Sequence, residues 1–225
     1  MPLKEQLPLF LFESCCITLL LNLAKLCLFL SGMYEVFFKK INEVIHLTAD
    51  EEAIFKNYLK PKKLRKKQFI LQEGDVCKYS IFVEKGLLRS YSVNEKGNDQ
   101  VVQFALEGWW IADLYSFITG EPSRYNIDAL EDCELLLINN DGLKEVRRQI
   151  PKFLEFSFLQ MQNAYIALER RWSHMVTLST EERYNKLLDK YPDIVQRVPQ
   201  HMIASYLGLT PETLSRAKKQ MTLPK

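Results

Sequence analysis

The sequence predicts an α+β fold in which an antiparallel β-roll is followed by a long helix and a small group of C-terminal helices. From Phe69 to Ile138, short β-like runs recur at intervals of about ten residues and are separated by glycines, a pattern typical of a small barrel or roll. After Pro151 these runs end and the remaining sequence has helical periodicity. With 225 residues, of which 47% are apolar, the chain can bury one large core or two modest ones, which excludes intrinsic disorder.

The N-terminal segment, residues 1–32, stands apart from this arrangement. Its stretch from Leu7 to Leu30 is rich in leucine and phenylalanine, as a signal peptide or a membrane anchor would be. Three polar residues interrupt this stretch, namely Glu13, Asn22 and Lys25, so it contains no apolar run of about 18 residues. We therefore expect residues 1–32 to be an extension upstream of a natural start at Met33, and we expect no membrane partner. A weak membrane anchor and an extra packed helix remain open as alternatives.

Two amphipathic helical patterns follow in residues 34–60, and Thr48 is placed to cap the second. They predict a short helical lead-in to the roll. The basic run Lys62–Lys67 then carries a charge of +5. Because it is far in sequence from the C-terminal helices, we expect a solvated loop here.

The formal net charge of +2 hides an uneven distribution. Residues 68–150 contain eight basic and fourteen acidic residues, a net charge of −6. Residues 151–225 contain eleven basic and seven acidic residues, a net charge of +4. An acidic roll joined to a basic C-terminal part is compatible with nucleic-acid binding by the latter.

The cysteines predict a reduced, cytoplasmic setting. They are odd in number and irregularly spaced, at Cys15, Cys16, Cys27, Cys77 and Cys133. No CxxC motif or His/Cys ligand spacing occurs, so we expect no metal, iron–sulfur cluster or other cofactor. Residues 69–138 also lack histidine, which excludes an enzyme with a histidine-ligated metal in a cupin-like roll.

The helix after Pro151 carries a heptad stripe. Its large apolar residues are separated alternately by four and three positions, and they are Leu154, Phe158, Met161, Tyr165, Leu168, Trp172 and Met175. Such a stripe predicts a two-helix seam and therefore a homodimer. Packing of the stripe on the roll of the same chain is the alternative, but Phe153, Phe156 and Ile166 form a second apolar face that can serve the roll.

Residues 199–220 have the pattern of a helix-turn-helix. Helix 200–206 turns its apolar side inward, and Gly208 supplies a left-handed turn residue. Thr210 and Pro211 then begin a second helix as its cap and first residue. A preceding helix begins at the capping box Ser179–Glu182.

The polar side of this motif predicts contacts with double-stranded DNA. Arg216 can donate to a guanine edge, Glu212 can accept from a cytosine amino group, and two threonine hydroxyls can meet phosphates. The full candidate set is Gln200, His201, Thr210, Glu212, Thr213, Ser215, Arg216 and Lys219. A helical hairpin with a solvated polar face is the alternative.

Together the glycine-punctuated roll, the heptad helix and the helix-turn-helix resemble the Crp/Fnr family of bacterial transcription regulators, over about residues 34–220. The markers are Gly74-Asp75, Gly86, the segment 108–138, and Ala204-x3-Gly208-Leu-Thr-Pro-Glu-Thr-Leu-Ser-Arg216. The resemblance implies a cyclic-nucleotide-binding-like roll, a double-stranded β-helix, that senses a small effector. It also implies dimerisation through the long helix, a pseudo-palindromic DNA site and RNA polymerase as a further partner.

By this motif match, Glu212 and Arg216 fall on base-reading positions, and Thr210 and Thr213 on phosphate-contacting ones. Pro211 stands where the cyclic-nucleotide-receptor branch has an arginine, so we expect a different DNA site. The oxygen-sensing branch has an N-terminal cysteine cluster whose spacing is not found here.

The resemblance also locates a degenerate effector cassette. Nucleotide-binding members have a Gly-Glu-Leu turn and an Arg-Ser pair, whereas this chain has Ala112-Asp113-Leu114 and Ser123-Arg124. The carboxylate is one methylene shorter and the basic residue is displaced by one position. Because phosphate recognition needs a guanidinium at a fixed place, we expect an effector other than cyclic AMP, or none.

These expectations divide the chain into a sensor domain (33–150), a dimerisation helix (151–177) and a helix-turn-helix domain (178–225) whose wing is truncated or absent. They predict a non-enzymatic, DNA-binding transcription regulator. A cyclic-nucleotide-binding sensor that acts through protein partners is the alternative.

Overall fold

The computed structural model of this chain describes residues 32–222. The interpretation of residues 1–31 as an extension therefore lies outside the described residues, as do Cys15, Cys16 and Cys27. In chain order the elements are α1 (Glu35–Asn42), α2 (Ala49–Tyr58), β1 (Lys60–Leu64), β2 (Phe69–Leu71), β3 (Ser80–Lys85), β4 (Leu88–Val93), β5 (Asp99–Ala105), β6 (Trp110–Ile111), α3 (Leu114–Thr119), β7 (Asn126–Ala129), β8 (Cys133–Ile138), α4 (Asn140–Gln149), α5 (Phe153–Thr177), α6 (Thr180–Lys190), α7 (Ile194–Arg197), α8 (Gln200–Tyr206) and α9 (Pro211–Thr222).

Two antiparallel four-stranded sheets form the β-roll. One sheet has the strand order β1-β8-β3-β6 and the other β2-β7-β4-β5. A buried apolar cluster contains side chains from both sheets, among them Leu135 from the first and Leu88 and Ile127 from the second. The predicted α+β class, with a roll followed by helices, is confirmed.

The prediction of a solvated loop at Lys62–Lys67 is wrong for the first half of that run. Lys60–Leu64 form β1, which pairs antiparallel with β8, so that Lys60 stands opposite Leu137. β1 lies at the edge of its sheet, and of its five residues only Leu64 is buried. Lysines suit an exposed edge strand because they oppose pairing with other chains, so a dense positive charge and a β-strand coexist here.

The two lead-in helices belong to the core of the sensor. The Phe37 ring on α1 meets Phe55 of α2 and Phe82 of β3 edge to face, with centroids 5.4 Å and 5.1 Å apart. Trp110 packs on the same two rings of α1 and β3, so it is a core residue. Thr48 begins α2 with a reciprocal capping box, as its position in the sequence predicted.

A buried carboxylate holds the start of α1. Glu84 on β3 accepts hydrogen bonds from the backbone N–H of Phe37 at 2.7 Å and of Val36 at 3.0 Å. Burial raises the pKa of Glu84 to about 7, the two N–H groups oppose this rise, and the nearby carboxylates of Glu35 and Glu134 add to it. The folded protein therefore binds a proton at Glu84 more tightly than the unfolded chain does.

This raised pKa predicts a loss of stability with rising pH. The stability that protonated Glu84 contributes is complete below its unfolded pKa near 4.5 and is lost as the pH rises through about 7. We expect the free energy of unfolding of the wild type to fall by roughly 2–4 kcal/mol relative to Glu84→Gln between pH 4 and pH 8. Urea unfolding at four pH values measures this difference. The exposed Glu155→Gln is the control and should follow the wild type; parallel pH profiles for wild type and Glu84→Gln would contradict the prediction.

Candidate functional site

The C-terminal helices form a helix-turn-helix. Ala204 of α8 and Leu214 of α9 are buried in the same apolar cluster, where the two helices cross. Gly208 between them adopts a left-handed φ of +70°, and the N–H of Leu209 donates to the Ala204 carbonyl at 2.9 Å. A residue with a side chain is disfavoured in this backbone conformation, so glycine fixes the turn.

Helix α9 begins as its sequence predicted. Pro211 is its first residue, and the Thr210 hydroxyl accepts a hydrogen bond from the Thr213 N–H at 3.2 Å. The N–H of Glu212 and the Thr210 hydroxyl lower the pKa of the Glu212 carboxyl, and the Arg216 guanidinium adds to this effect. Glu212 is therefore an ionised acceptor at neutral pH on a helix whose start is firmly held.

Most of the residues predicted to contact DNA lie on one accessible surface around α9. Thr213 and Ser215 are half-buried, and the other members of the set are exposed, namely Gln200, His201, Thr210, Glu212, Arg216 and Lys219. Glu212 and Arg216, four positions apart on α9, therefore place a carboxylate and a guanidinium at the surface of the helix.

The heptad stripe of α5 faces away from the rest of the chain. Its seven residues are exposed, with exposures from 39% to 70%: Leu154, Phe158, Met161, Tyr165, Leu168, Trp172 and Met175. Phe153 and Phe156 are instead buried against the sensor, as the second apolar face predicted, but the prediction is wrong for Ile166, which is 42% exposed. A contiguous apolar stripe of this kind marks an interaction surface rather than a solvated face.

The five cassette residues come together at the start of α3. The buried Asp113 carboxylate accepts from the Ser123 hydroxyl at 2.8 Å, from the Ser116 N–H at 3.2 Å and from the Arg124 N–H at 3.3 Å. The side chains of Leu114 and Arg124 are exposed, and Ala112 is half-buried. Asp113 therefore caps α3 and ties it to the Ser123 loop, and its oxygens are occupied by groups of the protein itself.

A cavity of about 330 Å³ opens beside this loop. Its lining residues come from the segment between β2 and β3, including Asp75, Val76 and Cys77, and include none of the five cassette residues. Burial raises the pKa of the Cys77 thiol, so Cys77 stays protonated at neutral pH.

Hydrogen bonds dock the helix-turn-helix on the outer face of the sheet β2-β7-β4-β5. The Ser205 hydroxyl donates to the Asp99 carbonyl at 2.7 Å and accepts from the Val101 N–H at 2.9 Å. Arg171 of α5 donates to the carbonyls of Val102 and Tyr206, and so joins the long helix to both sides of this contact.

A bridging arginine adds an ionic link between the two domains. Arg197 of α7 donates to Glu107 at 2.8 Å and to Glu131 at 2.7 Å, and both carboxylates belong to loops of the roll. The hydrogen bonds that Arg197 donates to Glu131 and to Glu107 raise the pKa of Arg197. Burial opposes ionisation of Glu107, yet hydrogen bonds from Arg197 and backbone N–H groups keep the pKa of Glu107 below its usual value. Sequence reasoning missed this cluster because its members are distant along the chain and share no local motif.

Metal and membrane sites are not found in residues 32–222. No group of three His, Cys, Asp or Glu side chains in this range is arranged to hold a metal ion. No helix in the same range is both long and apolar enough to span a bilayer.

Known proteins are similar to this chain both in the β-roll and over most of its length. Residues 61–149 match the family described as cyclic nucleotide-binding domain. The chain is 28% identical over 170 residues to the fumarate and nitrate reduction regulatory protein of Vibrio cholerae, which covers 69% of this chain and 66% of that protein. It is also 28% identical over 184 residues to the regulatory protein HlyX of Actinobacillus pleuropneumoniae, covering 76% of this chain and 75% of that protein.

Two solved structures share the fold. FixK2 from Bradyrhizobium japonicum superposes with a TM-score of 0.62 at 22% identity, covering 72% of this chain and 84% of that chain. The c-di-GMP-responsive regulator CLP of Xanthomonas campestris superposes with a TM-score of 0.63 at 16% identity, covering 77% of this chain and 91% of that chain.

A cyclic-nucleotide-binding β-roll followed by a long helix and a helix-turn-helix is an arrangement similar to that of transcription regulators with a sensor domain, a class of non-enzymatic proteins. The chain is similar to regulators of the Crp/Fnr type, with relatives among the Fnr-like and FixK-like regulators.

Proposed function

We propose that the protein is a cytoplasmic homodimer that binds a pseudo-palindromic site on double-stranded DNA and regulates transcription there, with RNA polymerase as a further partner. The observation that carries the proposal is the exposed polar face of α9, held on a capped and tightly turned helix-turn-helix. The exposed stripe of α5 supports the dimer. We assign residues 33–150 to the sensor, 151–177 to the dimerisation helix and 178–225 to the DNA-reading domain.

The effector of the sensor, on this proposal, is not cyclic AMP bound in the usual way. Asp113 is occupied by internal hydrogen bonds, and the exposed Arg124 is no part of the cavity beside the cassette. Thiolate-based sensing also lacks support within residues 32–222, because Cys77 and Cys133 are buried and burial raises the pKa of both thiols.

Selection of bound DNA from a random pool, with and without a metabolite extract, tests the proposal. We expect the selected sequences to contain two inverted half-sites whose centres are about 10 base pairs apart, one helical turn, because two copies of α9 must enter successive major grooves. An enrichment that depends on the extract would show that an effector acts. A protein that bound a cyclic nucleotide but no DNA above background would instead favour a sensor acting on protein partners.

Arg216→Ala tests the reading helix itself. We expect the affinity for the selected site to fall by roughly 5- to 150-fold, which is about 1–3 kcal/mol, with relaxed preference at one base pair of each half-site. Arg148→Ala is the matched control, since Arg148 is an exposed arginine on α4, away from α9. Binding curves on the selected site and on its single-base variants measure both effects. Equal affinity of Arg216→Ala and wild type for every sequence would contradict the role of α9.

A further inference from the structure

A second cavity, of about 510 Å³, lies between α5, α6 and the C-terminal end of α8. Six basic residues contribute to its lining: Arg170, Arg171, His174, Arg183, Lys186 and Lys190. Among the described residues that line it, Asp189 alone carries a carboxylate. The cavity is therefore strongly electropositive, while Ile166, Leu187 and Tyr206 give it an apolar part.

Little of this positive charge is neutralised by the protein. Arg171 and Arg183 donate to backbone carbonyls, and the buried Nε of Arg183 has no hydrogen-bond partner within the described part of the chain. Arg170 and Lys186 are exposed, and of the two Lys186 has a nearby carboxylate, that of Glu182. Burial lowers the pKa of Lys190, and the nearby Arg170 guanidinium lowers it further. The donor groups of this cavity can therefore receive an acceptor from outside.

This cavity does not compete with the dimer stripe. The α5 residues that line it recur at positions 163, 166, 167, 170, 171 and 174, which form one face of the helix. At about 100° per residue, the centre of this face points roughly 170° away from the stripe that runs through Phe158, Tyr165 and Trp172. Met175, at the end of the stripe, lies on the border of both. A second copy seated on the stripe therefore leaves the cavity open.

We propose that this cavity binds an organic phosphate with an apolar or aromatic body. Guanidinium groups match phosphate oxygens in pairs, which places the phosphate beside Arg170, Arg183 and Lys186. The body of the ligand then lies against the exposed Ile166 and beside the Arg171 guanidinium, which packs over the Tyr206 ring at 4.2 Å, in a volume typical of small-molecule sites. Because α5 forms one wall while α6 and α8 form the other, such a ligand bridges the long helix and the DNA-reading domain.

Calorimetric titration of the full chain with 1-naphthyl phosphate tests this site without DNA, so its outcome is independent of whether the protein reads a DNA sequence. We expect one molecule bound per chain, at least tenfold more tightly than inorganic phosphate or 1-naphthol, because the site needs both the charge and the ring. Absence of binding at millimolar concentration would overturn the proposal. Equal affinity for all three compounds would overturn it as well, by showing only a nonspecific basic surface.

The double variant Arg170→Gln, Lys186→Gln locates the binding. We expect its affinity for 1-naphthyl phosphate to fall at least tenfold, while Lys144→Ala, an exposed lysine on α4, retains the wild-type value. Both altered residues are exposed, so unchanged thermal unfolding confirms that the variant is folded. Unchanged affinity of the double variant would contradict the assignment. Weaker DNA binding by this variant, together with no binding of the phosphate to the wild type, would make the cavity a contact for the DNA backbone and overturn the proposal.

Discussion

Gly86→Ala is expected to destabilise the sensor domain by about 3–5 kcal/mol. Gly86 connects β3 to β4 with a left-handed φ of +95°, a conformation that residues with a side chain rarely adopt. A Cβ atom at this position would stand 2.6 Å from the Asp132 carbonyl oxygen and 2.7 Å from the Cys133 sulfur. Both contacts are far closer than atoms tolerate, and Cys133 is buried in the roll, so neither neighbour can yield cheaply. Because a domain is stable by only about 5–15 kcal/mol, this loss is a large share of its stability and should lower the unfolding temperature clearly.

Gly97→Ala separates the steric effect from the backbone effect. Gly97 also has a left-handed φ, of +78°, but no atom lies within 4 Å of the position that its Cβ would take. We expect this control to cost about 1–2 kcal/mol, from backbone strain alone. Urea unfolding of the two variants beside the wild type measures the difference. If Gly86→Ala cost no more than Gly97→Ala, the close approach of Asp132 and Cys133 would not be the reason for glycine at position 86.

Features governed by short-range rules could be predicted from the sequence. The heptad spacing on α5 placed Phe158 and Trp172 on one face and Phe153 on another, and the structure has the first two exposed and the third buried. Cap residues marked helix starts at Thr48 and Ser179, since each side chain satisfies backbone N–H groups of its own helix. In both cases the residues concerned lie within a few helical turns of one another, so the local sequence is enough to predict their positions.

Features that depend on distant partners could not be predicted. Strand β1 consists of four exposed residues and the buried Leu64, and it forms because its backbone pairs with β8. No pattern within Lys60–Leu64 predicts this pairing. Likewise, Ser205 is an ordinary residue in the sequence, and its importance comes from Asp99 and Val101 on the facing strand. The basic cavity has the same origin in part, because its charged residues on α5 and α6 are joined by Tyr206 and Leu207 from the end of α8.

The cassette shows how residues of one motif can lie together while their chemistry stays open. The resemblance placed Asp113 and Ser123 in one site, and they do meet through a hydrogen bond of 2.8 Å. The sequence could not tell whether the carboxylate would face a ligand or the protein. Asp113 turns to the N–H of Ser116 and caps α3, because a buried carboxylate must find donors and the helix start supplies them.

Replacing Phe158 and Trp172 together by aspartate is expected to convert a dimer into a folded monomer. Both side chains are largely exposed in the single chain, at 62% and 67%, so the substitutions should leave the fold of each chain intact. In a symmetric seam they remove four large apolar side chains from the interface, at roughly 1.5–3 kcal/mol each. The combined loss of roughly 6–12 kcal/mol is comparable with the whole binding free energy of a nanomolar dimer. Light scattering on a sizing column measures the mass directly.

The affinity of the same double variant for DNA with two half-sites should fall by at least about 100-fold. The reason is that its two copies of α9 bind as separate monomers and no longer together as one dimer. Affinity for an isolated half-site should stay close to that of the wild type, which separates lost dimerisation from damage to α9. Ile118→Asp is the matched control, since Ile118 on α3 is as exposed as Phe158 but lies outside the stripe; it should leave both the mass and the DNA affinity unchanged. A variant that kept the dimer mass would show that another surface joins the chains, and the exposed stripe would then need a different partner.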